Sequence, residues 1–206
     1  ALAHALSARD IVVYRGSAAA VDAASPVRTP SGVVAVARWS PSPAASLLKQ
    51  PDARLVGVVG VQDPGNVGSI IRSADALGAT GVLVLDESAA PGGWKTLRGA
   101  MGSTFRIPVG VGTSDVVLSA ARASGVAIVA SVASGGSPPD KVMFAPPVLL
   151  LIGSEGAGLP PAIVARADRK VTLPMRGPIN SLNAATSASI LLWEMTRTLR
   201  ESGGRA

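Results

Sequence analysis

Short runs of Val, Leu and Ile alternate along this chain with stretches whose apolar residues recur at helical spacing. The runs at residues 55–61, 81–85, 105–111, 126–132 and 148–152 keep almost no polar face, which predicts strands buried on both sides. A sixth run, Val171-Thr-Leu-Pro-Met175, reads the same way. Between the runs the spacing predicts helices over residues 68–77, 94–101 and 114–124, the last capped by Ser114. A closing helix is predicted over residues 182–199, with Asn180 or Ser181 placed to cap its start and Gly203 and Gly204 marking its end. Strands alternating with helices imply an α/β fold, a parallel sheet with helices on either side. Ligands of such sheets gather at the carboxyl ends of the strands.

Residues 1–48 follow another pattern. An alanine-rich start, a short Ile11-Val-Val-Tyr14 run and a second alanine-rich helix at 17–24 precede Thr29-Pro30-Ser31-Gly32, a turn into an alternating strand at 33–37. Trp39-Ser-Pro41-Ser-Pro43 reads as an extended linker. The residues alone leave two readings open, a surface hairpin on the main domain or part of a separate small domain. The chain starts at Ala1 rather than methionine, which leaves room for a longer N-terminal part.

Composition narrows the chemistry. There is no cysteine and a single histidine, His4, so a thiol nucleophile and a zinc cluster of the usual ligands are excluded, as is a serine–histidine triad unless His4 folds back. A cysteine-free chain suits the cytoplasm. The apolar runs are too short for a membrane span, and Arg9-Asp10 interrupts what a secretion signal would need. The formal net charge of +6 is carried mostly by arginine, whose forked guanidinium matches phosphate and favours a polyanionic partner. Aromatic residues make up 3% of the chain, too few for a protein that reads bases by stacking them on a sheet.

Three polar, glycine-bearing segments stand where strands end. The first, Asp63-Pro-Gly65-Asn66-Val-Gly68 with Arg72 beyond it, reads at its simplest as a strand-to-helix turn with Asn66 or Ser69 as cap. It lacks the glycine spacing of a dinucleotide or P-loop site. The second, Gly153-Ser-Glu155-Gly-Ala-Gly158-Leu, sets three glycines around one carboxylate, either a flexible turn or a loop that a ligand approaches closely. The third runs from Leu173-Pro-Met175 to Ser181-Leu182-Asn183. Taken in this order, the three resemble the motifs of the SpoU/TrmH branch of the SPOUT RNA methyltransferases.

That resemblance implies a SPOUT-type parallel sheet with a C-terminal trefoil knot in residues 49–206, and in residues 1–48 the remnant of an N-terminal RNA-binding domain with its linker. It implies S-adenosylmethionine as cofactor, held by Ser131, Val132, Ile152, Gly153, Leu173, Met175 and Leu182, with the adenine on backbone groups and no metal. Asn66 and Arg72 are implied on the RNA side, with Arg72, Glu155, Ser181 and Asn183 as the catalytic set and Glu155 buried. Many relatives carry glutamate where this chain has Asn180. The activity implied is methylation of a ribose 2′-hydroxyl in ribosomal or transfer RNA by a homodimer, Arg72 serving either its own pocket or its partner's. A base methyltransferase and a non-catalytic RNA-binding relative are the competing readings. Methyl transfer from a sulfonium rests chiefly on alignment, which accords with the scarcity of histidine and cysteine.

Overall fold

A computed structural model of the chain describes residues 5–6, 8–9, 11–27, 29 and 31–197. His4, Leu199, Gly203 and Gly204 lie outside the described residues. The chain divides into two units, Ala1–Trp39 and Ser40–Ala206.

The first unit holds helix α1 (Ala18–Ala24), started by Ser17, whose hydroxyl accepts from the Ala20 amide at 3.2 Å. The alternating stretch at 33–37 forms no strand. A strand exists only against a second backbone, and here no ladder forms among the described residues: Val33 is exposed and Val36 fully so.

In the second unit the elements run α2 (Ala44–Leu48), β1 (Arg54–Val59), α3 (Pro64–Leu77), β2 (Gly81–Leu85), α4 (Trp94–Ala100), β3 (Val109–Gly112), α5 (Ser114–Ala123), β4 (Ala127–Ser131), β5 (Val148–Ile152), α6 (Pro161–Val164), β6 (Arg169–Val171) and α7 (Ala184–Met195). The strands form one sheet in the order β3-β2-β1-β5-β4-β6, and every neighbouring pair is parallel. β1, β2 and β5 are buried almost throughout, as the unbroken apolar runs predict. Alternate side chains of β1 and β5 divide between the two faces. Leu55, Val59, Leu149 and Leu151 join Leu47, Leu48 and Leu118 of α2 and α5 on one face. On the other, α3 packs against both α4 and α7.

Four of the boundaries that differ from the sequence reading have a local reason. Residues 40–48 belong to this unit, because Leu47 and Leu48 fill its core and the Ser42 amide donates to the Val109 carbonyl at 2.8 Å. α3 starts at Pro64, because Asp63 caps it by accepting from the Asn66 amide at 2.7 Å and proline fits the first helical turn. The third strand starts at Val109 rather than 105: Met101 and Gly102 both take positive φ, 49° and 89°, and turn residues 103–105 into a 3₁₀ segment that leaves Phe105 exposed. β6 ends at Val171, so 172–175 are not strand, and Pro174 could not have donated to a ladder.

α3 and α4 approach backbone to backbone. A Cβ on Gly68 would lie 2.8 Å from the Ala100 nitrogen and 2.9 Å from the Gly99 Cα, so only glycine permits this crossing.

Candidate active site

β5, β4 and β6 are neighbours, and the loops after them rise from one edge of the parallel sheet. These loops and the start of α7 enclose a cavity of about 480 Å³, within the ~300–1,000 Å³ usual for cofactor pockets. Ser131 and Val132 line it from the end of β4, and Ile152, Gly153 and Glu155 from the end of β5. Leu173 and Met175 follow from the segment after β6, and Ser181 and Leu182 from the entry to α7. All seven positions expected to hold a cofactor therefore share one cleft.

Gly153 sits where its loop folds back on itself. The Gly158 amide donates to the Ser154 carbonyl at 2.9 Å, and a Cβ on Gly153 would run into the backbone of Gly158 and Leu159. The opposite wall has another character. Among the described residues, no backbone or side-chain group of residues 173–182 makes a hydrogen bond within the protein. Peptide groups in a folded chain are nearly always paired, so an unpaired run beside a cavity offers its donors and acceptors to a ligand. Next to the apolar Leu173, Met175 and Leu182, they suit a flat heteroaromatic ring that carries donors and acceptors of its own.

The three glycine-bearing segments meet at one carboxylate oxygen. Glu155 Oε1 accepts from Asn66 Nδ2 at 2.7 Å, from Asn183 Nδ2, and from the Ala184 amide at 3.3 Å. Asn183 Nδ2 also donates to Asn66 Oδ1 at 3.0 Å. The cap of α7 is Asn183, not Asn180 or Ser181: its Oδ1 accepts from the Ala185 and Thr186 amides at 2.9 and 3.2 Å. Glu155 is not buried as the resemblance implies. Its loop stands at the surface of the single chain, and the carboxylate is exposed while it ties the three segments together.

Arg72 is not brought to the cavity. It lies on α3 one turn past Gly68, exposed, and its side chain has no hydrogen bond or ion pair among the described residues. Asn66 and Asn183 stand behind the cavity wall, joined to it through Glu155. The sequence reading missed Ser134, beyond β4, and Ser187 of α7 as lining residues. Ala184, Ser187 and Leu191 form a helical stripe on that wall, with Ser187 as its polar member. No group of His, Cys, Asp or Glu among the described residues could hold a metal ion.

Comparison with known proteins follows the same residues. The model of the SpoU rRNA Methylase family matches residues 53–193. The 23S rRNA (guanosine(2553)-2′-O)-methyltransferase of Bacillus subtilis is 32% identical over 185 residues, 90% of this chain and 73% of that protein. The 23S rRNA (uridine(2479)-2′-O)-methyltransferase of Streptomyces viridochromogenes is 42% identical over 140 residues, 65% of this chain and 49% of the relative, so the chain spans about half of that protein's length. Among solved structures, an AdoMet-bound rRNA methyltransferase from Sinorhizobium meliloti superposes with a TM-score of 0.74 at 36% identity, covering 78% of this chain and 62% of that one. The AdoMet complex of the SpoU methyltransferase AviRb gives 0.67 at 38% identity, covering 75% and 63%. With its motifs joined at Glu155 and a parallel sheet shared with these relatives, the chain belongs to the SpoU rRNA methylase family.

Proposed function

We propose that this chain is an S-adenosylmethionine-dependent methyltransferase acting on a ribose 2′-hydroxyl of ribosomal RNA. The observation that carries the reading is the cavity itself. The glycine-tight loop at Gly153 and the unpaired run at 173–182 face each other across a space of about 480 Å³. The group fits the residues present: Leu173, Met175 and Leu182 would hold the adenine, and Gly153 with Ile152 and the Ser131–Val132 edge would hold the remainder. When bound, it supplies a methyl on a positively charged sulfur, an electrophile that needs no further activation.

The chain's own residues then have three tasks. Glu155 and Asn183 hold the wall in register with α3 through Asn66. Ser181 presents a hydroxyl at the cavity. Arg72 supplies a fixed positive charge for the RNA sugar or phosphate and for the oxygen that gains charge as its proton leaves. Its distance from its own cavity supports delivery from a second copy of the chain, so the proposal includes a homodimer. The trefoil knot belongs to the same reading. The chain leaves edge strand β6, passes over the ends of β4 and β5, and returns to pack α7 on α3. The greater length of the relatives supports residues 1–39 as part of an RNA-recognition region. No helix among the described residues is long and apolar enough to cross a membrane, and an rRNA substrate puts the enzyme in the cytoplasm.

The test is incubation with radiolabelled cofactor and unmodified 23S rRNA, followed by digestion to nucleosides. The expected product is a single 2′-O-methylated nucleoside. Label in a base would make the protein a base methyltransferase, and no label despite cofactor binding would favour the non-catalytic reading.

A further inference from the structure

From Ser88 to Ser114 the chain carries no acidic residue, yet it contains Lys95, Arg98 and Arg106. Arg106 is neutralised by Asp75 at 2.9 Å. Among the described residues Lys95 and Arg98 have no acidic partner, as is also true of Lys49, Arg72, Arg169, Lys170 and Arg176 in the same unit, whereas Arg54, Arg122, Lys141, Arg166 and Arg197 each have one. The two unpaired cations share the outer side of α4. The inner side, Thr96, Gly99 and Ala100, lies against the backbone of α3 at Gly65 and Gly68, which leaves Trp94, Lys95 and Arg98 facing solvent.

Large apolar side chains are exposed on the same stretch. Trp94 is 43% exposed, Met101 65% and Phe105 58%. Trp94 and Arg98 stand one turn apart on α4, and Met101 and Phe105 follow across the positive-φ turn at Met101 and Gly102. Lys95 Nζ lies 5.6 Å from the Trp94 ring centre, so cation and ring already form one surface. In a chain with 3% aromatic residues, two aromatic rings exposed within twelve positions, interleaved with uncompensated positive charge, are a local concentration. Glycines bring α4 close to the helix that carries Arg72.

We propose that the outer face of α4, Trp94, Lys95 and Arg98, together with Phe105 in the segment that follows it, is a second RNA-contact surface. It holds a strand flanking the methylated nucleotide, the cations on phosphates and the rings against bases. The charge decides between occupants. Two unpaired cations on one small face would repel their counterparts across a symmetric interface between copies, whereas a polyanion neutralises them. The inference rests on the RNA substrate proposed above and extends that substrate's footprint beyond the motif residues.

The test compares wild type with Lys95→Gln/Arg98→Gln and, separately, Phe105→Ser. An unmodified 23S rRNA transcript is titrated at several salt concentrations, S-adenosylmethionine binding is measured by calorimetry, and oligomeric state by sedimentation. Each lost phosphate contact lowers the salt slope of RNA affinity by about one, so the double variant should lose about two from the slope and about tenfold or more in affinity. Phe105→Ser should weaken RNA binding with the slope unchanged. Cofactor affinity should stay at the wild-type value in both, reporting an intact fold and cavity. Unchanged RNA affinity and slope with normal methyl transfer would overturn the surface and leave the enzyme reading standing. A change in sedimentation without a change in slope would overturn it in favour of a protein interface. Wild type that neither binds nor methylates the transcript would remove the reading on which the surface rests.

Discussion

Asn183 has two roles at once. Its side-chain oxygen caps α7, and its nitrogen reaches Glu155 and Asn66. The roles separate by substitution. Asn183→Asp keeps the capping oxygen but replaces the donor with a second carboxylate beside Glu155, so melting temperature should hold while S-adenosylmethionine affinity falls at least ~10-fold. Asn183→Ala loses both, and thermal unfolding should show about 1 kcal/mol of lost stability, the usual cost of a missing cap. At Glu155, glutamine keeps an acceptor oxygen where alanine leaves Asn66 Nδ2, Asn183 Nδ2 and the Ala184 amide without one. Calorimetry should therefore find Glu155→Gln binding cofactor closer to wild type than Glu155→Ala. Equal losses in the two would mean the charge, not the acceptor, holds the loops.

At the scale of elements, the sheet depends on strands with no polar face. Leu150 in β5 is fully buried in the middle strands of the sheet. Leu150→Ala should cost about 2–5 kcal/mol, measurable by denaturant unfolding with an unchanged m-value. The same lack of a polar face made β1, β2 and β5 legible in the sequence, because a run of Val, Leu and Ile has few other places to go. Residues 33–37 and 105–108 were misread for a related reason. Alternation and apolar content show only that a strand is possible; a partner backbone, or a turn such as that at Met101 and Gly102, decides the outcome. The wall at residues 173–182 was legible only through motif resemblance, since unpaired backbone groups leave little trace in side chains. Ser187 went unnoticed because a serine in a helix carries no signal until the cavity is located.

The whole molecule poses a different problem, since among the described residues no cation lines the cleft. Arg72 is exposed on α3, outside the residues that line the cavity. If a second copy delivers it, two inactive variants should complement. Chains with Arg72→Ala and chains with Gly153→Ala, each inactive alone, would regain about a quarter of wild-type methyl transfer when refolded together. Half of randomly formed dimers are then mixed, and each mixed dimer has one complete site. No recovery, with mixed dimers shown to form, would assign Arg72 to its own chain.

Every proposal above depends on the cleft being a cofactor site, and calorimetry with S-adenosylmethionine tests that most directly. Wild type should bind one equivalent per chain, and Gly153→Ala should bind none, because its added methyl runs into the backbone of Gly158 and Leu159. Undiminished binding by Gly153→Ala, or no binding by wild type, would contradict the account.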